Sequence, residues 1–202
     1  MASKTPTMTE VLRTRQIIDA AKICFKNHGF HGTSMAILAD FADLSVGQIY
    51  RYFKSKEALI EAIVKEIVYH RIEVLEARGF NVEEVAQMLA ERDMGKFDSE
   101  FAIDQILMLE VTAEASRNLN ISRIFKDADR ESCNRLNISL RKKYPHFTPQ
   151  EIAARVELFT VLASGSDTRF LVEKKFSTEE LRKIYLNIFN SVFTEKHSEH
   201  PQ

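Results

Sequence analysis

The chain has 202 residues, 45% of them hydrophobic and 28% charged, a globular balance that excludes intrinsic disorder. No segment approaches the roughly 18 consecutive apolar residues of a membrane span, and two cysteines, Cys24 and Cys133, are too few for a disulfide-stapled scaffold. A net charge of -1 argues against a nucleic-acid binder only if the charge is evenly spread.

Both cysteines sit among apolar residues, as buried free thiols of a reducing compartment do. The stretch from Met1 to Glu10 is polar and lacks the apolar core of a signal peptide, so a soluble cytoplasmic protein is expected. Only 6 Gly and 4 Pro punctuate the chain, too few for the turns of an all-β or α/β protein of this size. Apolar residues recur instead at three- and four-residue spacing, and an all-α fold of about nine helices is expected.

In chain order, the first long helix is predicted over 9–28, with Val11, Ile17, Ile18, Ala21 and Phe25 on its apolar face and Gly29 as its stop. A short helix follows near 34–41, with Thr33 available as its N-cap. Asp43 falls at a turn, where a left-handed backbone suits Asp better than most residues. Ser45 can cap a second short helix to about Phe53, and Ser55 a longer one to about Arg78, with Gly79 ending it.

Beyond Gly79, Asn81-Val-Glu-Glu84, Thr148-Pro-Gln-Glu151 and Ser177-Thr-Glu-Glu180 each place a capping side chain three residues before a Glu. Helices are predicted over 82–94, 99–117, 120–143, 149–172 and 177–194, with a frayed polar tail from His197 to Gln202. The domains expected are a head over 1–56, a connecting helix over about 55–78, and a larger domain over 79–202.

Charge is unevenly divided along this map. Residues 1–56 hold eight basic and four acidic residues, a net of +4, and the remainder nets -5. A basic head on an acidic body is expected where one end meets an anionic polymer. Two short helices joined by a tight turn after a longer helix form a helix-turn-helix arrangement. Leu38, Ala39, Ala42, Leu44 and Ile49 make its inner face, which leaves Val46, Gly47, Gln48, Arg51 and Tyr52 outward. Gln48 can read adenine, Arg51 guanine or only phosphate, and Val46 can meet a thymine methyl or serve as a satellite core residue. Tyr50, Lys56 and the helix start at Ser55 suit phosphate contacts.

The segment Gly32-Thr-Ser-Met-Ala-Ile-Leu-Ala-Asp-Phe-Ala-Asp-Leu-Ser-Val-Gly-Gln-Ile-Tyr-Arg-Tyr-Phe-Lys-Ser-Lys-Glu-Ala-Leu59 resembles the DNA-binding signature of the TetR family of transcriptional repressors. The resemblance reaches back through Arg15-Gln-Ile-Ile-Asp-Ala-Ala21 and is weaker at Leu109-Glu-Val-Thr-Ala-Glu-Ala-Ser-Arg-Asn118. It implies base or near-base contacts from Val46, Gly47, Gln48 and Arg51. It implies phosphate contacts from Thr33, Ser34, Tyr50, Tyr52 and Lys56, with Arg13 and Arg15 near the N-terminal arm. Asp43 stands where the pattern has Gly, Ala36 and Ile37 where charges are frequent, and Phe41 where a polar residue is usual.

A protein resembling this family is expected to be a homodimer on a palindromic double-stranded DNA operator. Leu158, Phe159, Leu162, Gly165, Ile188, Phe189 and Val192 are the candidate seam. Gly165 fits a close helix approach or a local kink. A small-molecule effector with an apolar or aromatic body is expected. Met88, Met94, Phe97, Phe101, Leu107, Met108, Phe125 and Cys133 could line its pocket or be plain core. Glu110 and Glu114, one turn apart with Arg117 nearby, could anchor a ligand or form an intrahelical ion pair.

No phosphate loop, nucleophile elbow or metal spacing supports an enzyme, and no cofactor is expected. His28 with His31, and His197 with His200, read as solvated pairs. The competing reading is a helical interaction adaptor that does not bind DNA.

Overall fold

The structure is a computed structural model that describes residues 7–92 and 99–194. Among them all regular structure is helical: α1 (Met8–Gly32), α2 (Met35–Phe41), α3 (Val46–Tyr52), α4 (Lys56–Ala77), α5 (Val82–Glu91), α6 (Ser99–Ala115), α7 (Leu119–Lys143), α8 (Pro149–Arg169) and α9 (Thr178–Phe193). The all-α expectation holds. Residues 195–202, with His197 and His200, lie outside the described residues.

Local chemistry sets most of the boundaries. The Thr7 hydroxyl accepts from the Glu10 N–H, and the Glu10 carboxylate takes the Thr7 N–H at 2.7 Å, so α1 starts slightly before the predicted Thr9. Thr148 and Glu151 make the same reciprocal pair ahead of α8, with Pro149 at the first helical position. Asn81 and Ser177 cap α5 and α9 through backbone N–H groups alone. The α5 end differs from prediction: it closes at Glu91 because Arg92 turns left-handed, with φ at 61°.

The chain packs as two compact units, one formed by 7–68 with 99–128 and the other by 69–92 with 129–194. In the first, Ile17, Ala21, Leu38, Ile49, Leu59, Ile63 and Ile67 form a buried core that also takes in Leu107 and Val111 of α6. The α6 helix packs directly on α1. In the second, α5 lies against α9 and α8 around Val85, Leu89, Leu136, Ile152 and Phe189.

Charged groups fix the α1–α6 contact. Lys22 is 7% exposed and donates to Asp104 at 3.0 Å, and it pairs with Glu66 of α4 at 2.7 Å. A buried ammonium is tolerable only with such partners. Burial penalises its charge, yet Glu66 and Asp104 outweigh that and hold its pKa above the ordinary lysine value. At Gly29 the backbone takes φ 67°, a conformation that favours glycine. A Cβ there would lie 3.0 Å from a Glu110 carboxylate oxygen, the same oxygen that accepts the Phe30 N–H at 2.8 Å. Glu114 is buried and takes His31 at 2.9 Å, together with Arg117 and Asn118. The ion pair expected of Glu114 and Arg117 is present, with Arg117 two residues beyond the end of α6, whereas Glu110 bonds the α1 backbone.

Lys22→Met removes the buried ammonium shared by Glu66 and Asp104 and is expected to cost about 3–5 kcal/mol of unfolding free energy in urea denaturation. Adding Asp104→Asn should recover part of that loss. An unchanged midpoint in the single variant would contradict this packing. Since the Lys22 pKa is raised, its contribution is full below the ordinary lysine range and is lost as pH rises through the folded value.

Candidate nucleic-acid interface

The α2–turn–α3 segment is fixed from inside. Leu38, Ala39, Ala42 and Ile49 are buried, and Leu44 packs against them. Asp43 takes the left-handed conformation at φ 52°, as the turn reading requires. Gln16 of α1 donates to the Ala42 carbonyl at 2.6 Å, which ties the turn to the long helix. Ser45 caps α3 by accepting from the Gln48 N–H, and the Gln48 side-chain oxygen accepts from the Ser45 N–H at 2.8 Å.

With its inner side held, α3 turns Val46, Gly47, Gln48, Tyr50 and Arg51 outward. Val46 is 37% exposed and stands outside the core cluster, so the satellite-core alternative does not describe it. A Cβ on Gly47 would meet nothing within 4 Å, which leaves bare backbone for a close approach. Gln48 has to leave its cap before its amide can make two bonds to a base. Tyr52 is half-buried against the core.

Several expected phosphate contacts are engaged within the chain. Thr33 is buried, and its hydroxyl donates to the carbonyls of Cys24 and Gly29. The N-cap of α2 is therefore Ser34, whose hydroxyl accepts from the Ile37 N–H, and not Thr33. Lys56 donates to the carbonyls of Phe30 at 2.7 Å and Thr33 at 3.0 Å and lies 4.2 Å from the Phe30 ring centre. Arg13 donates to Gln16, and Arg15 pairs with Asp19 and Glu66. Exposed Lys54 was not singled out from the sequence. It donates to the Tyr50 carbonyl at 3.3 Å, and its position five residues past Ile49 at the helix end was the available signal.

A family model described as bacterial regulatory proteins of the tetR family matches residues 17–63, the span just described. The transcriptional regulator UidR of Escherichia coli K12 is 30% identical over 134 residues, 63% of each chain. The chain thus spans less than two thirds of the length of this curated relative. The match to the tetR family thus rests on residues 17–63. Salmonella enterica GusR superposes with a TM-score of 0.71 at 20% identity, covering 91% of this chain and 96% of that one. FadR of Bacillus subtilis, solved in complex with stearoyl-CoA, superposes with a TM-score of 0.63 at 21% identity, covering 91% and 99%. Both share the fold of this chain.

The remaining expected site residues are dispersed. Phe101, Leu107, Met108 and Phe125 lie in the first unit, whereas Met88 and Cys133 join the second core cluster. Met94 and Phe97 lie outside the described residues. A cavity of about 20 Å³ in the first unit is lined by Phe25, Phe30, Ile63, Glu110 and Glu114, with Leu107 its one wall from the expected set. A cavity of about 30 Å³ in the second unit is lined by Phe80, Tyr144, Phe159, Phe189 and Phe193, none of them among the expected pocket residues. Each has room for little more than one or two water-sized groups. Burial pushes the Cys24 and Cys133 thiols up, away from thiolate chemistry.

On the expected seam, Phe189 is 2% exposed and Phe159 and Leu162 pack on the same core, so these three have work inside their own chain. Leu158, Ile188 and Val192 are half-buried and Gly165 is exposed. A Cβ at Gly165 would meet nothing within 4 Å, and α8 runs unbroken through it, so neither a close approach within the chain nor a helix break accounts for this glycine.

Lys56→Met removes a charged donor from two carbonyls, and a stability loss of about 1.5–3 kcal/mol is expected in thermal unfolding without DNA. A variant as stable as the parent would show that these bonds carry no weight.

Proposed function

We propose that the chain is a transcriptional repressor that binds a palindromic operator as a homodimer and releases it on binding a small molecule. The observation that carries this reading is the outer face of α3. Val46, Gly47, Gln48, Tyr50 and Arg51 stand outward on a helix whose other side is locked into a core. Such a helix can enter a major groove without leaving its core, and its side chains carry the donors and the apolar surface that base edges recognise once Gln48 is released from its cap. Thr33, Lys56, Arg13 and Arg15 act in this reading mainly by holding the head, while Ser34, Tyr50 and Lys54 meet phosphates. No helix among the described residues is long and apolar enough to cross a membrane, which agrees with work in the cytoplasm.

Two-fold operators need a two-fold protein. Val161 and Ile184 are 57% and 55% exposed on α8 and α9, beside Leu158, Ile188 and the open Gly165. A second copy of the chain is the occupant this face suits. The ligand in the FadR structure supports an effector site in a fold of this kind. Within the first unit, Asp104, Glu110 and Glu114 grip α1, so a displaced α6 carries the head helix with it.

Selection of bound sequences from random DNA tests the proposal. Gln48→Ala and Arg51→Ala are expected to change the preferred base, each by about 1–3 kcal/mol of discrimination. Tyr50→Phe should weaken every sequence alike, and affinity should fall linearly with salt on logarithmic axes. An adaptor without DNA binding would enrich no sequence and show no salt slope.

A further inference from the structure

In the second unit, Arg71 of α4 reaches Asp167 of α8 through Nη1 at 2.6 Å. Its other two nitrogens, Nε and Nη2, are shut off from solvent and meet no hydrogen-bond acceptor of the chain. These two lie on one side of the guanidinium, and their N–H bonds run parallel, the spacing a carboxylate accepts with both oxygens. Buried donors are rarely left without an acceptor, because each has then lost the bonds it made to water. Ile72 is buried beside Arg71, and Leu75, one turn further on, belongs to the unit's core cluster. The fork is aimed by Asp167, at 2.6 Å from Nη1.

We propose that Arg71 anchors the carboxylate of a small organic acid inside the second unit, through its Nε–Nη2 edge, with Asp167 as the positioning residue. This deepens the reading of the chain as a ligand-responsive regulator by assigning the chemical class of the effector: a small carboxylate. A phosphate dianion suits the site less well, because one guanidinium already shared with Asp167 faces two further negative charges.

The test uses the full chain without DNA. The Arg71 Nε–H cross-peak is identified in a ¹⁵N spectrum by its loss in Arg71→Lys, and is then followed with acetate, benzoate, benzamide, inorganic phosphate and matched sodium chloride. The expected result is a saturable shift with acetate and benzoate that benzamide and chloride do not reproduce. Benzoate affinity, measured by calorimetry, should drop tenfold or more in Arg71→Lys. It should rise several-fold in Asp167→Asn, which removes a like charge, a gain that a merely structural Arg71 would not produce. No shift with either acid, an equal shift with benzamide, or a shift with phosphate alone overturns the assignment. Operator selection is independent of this titration, so either reading can fail while the other stands.

Discussion

Inside the first unit an ammonium group has been taken out of water, and its neighbours are arranged around that fact. Lys22 of α1 is held between Asp104 of α6 and Glu66 of α4, three helices contributing one charge each. Desolvation alone would drive the proton off or the side chain outward, and only two carboxylates at hydrogen-bond distance reverse the balance. Two more acids on α6 extend the grip: Glu110 on the Phe30 N–H and Glu114 on His31. Glycine at position 29 is part of the same device, since a side chain there would meet the Glu110 oxygen. The helix that carries the recognition motif is therefore seated on α6 by directional bonds as well as by apolar packing, and these have one good register.

That seating explains why the outward face of α3 is clean. Gln16 clamps the turn, Lys56 ties two carbonyls at the end of α1, and Thr33 turns inward to two more. Polar residues that would otherwise be available to a partner satisfy backbone groups freed where α1 ends, and such groups are costly to bury unpaired. The +4 of the N-terminal residues, read from composition, is accordingly not all surface charge. Lys22 and Lys56 are engaged inside, and Arg15 faces carboxylates. Arg51, Lys54 and Lys26 carry the exposed share.

The elements legible in the sequence were those whose causes lie within a few residues of their effect. Ser45 and Thr148 cap as their spacing requires, Asp43 takes the left-handed turn, and caps and helix periods locate all nine described helix starts within about one residue. The swap of Thr33 for Ser34 as a cap shows the limit. Both are adjacent capping residues, and the choice was made by carbonyls of Cys24 and Gly29, which only the folded α1 brings near. Methionine and phenylalanine at helical spacing had the same ambiguity, and most of those described now pack on one of two separate cores.

The sequence by itself determined the helices, their caps, the helix-turn-helix and its outward face, because backbone satisfaction and amphipathic period act over a turn or two. Tertiary structure decided which charges are spoken for. Lys22 and Asp104 are 82 residues apart and Arg71 and Asp167 are 96 apart, separations at which no periodicity operates. Near-neutral net charge, which seemed at first to bear on nucleic-acid binding, is a sum over pairs that long-range packing had already joined or left open. What matters for function is the donors still turned outward on α3 and the Arg71 guanidinium edge turned inward without an acceptor.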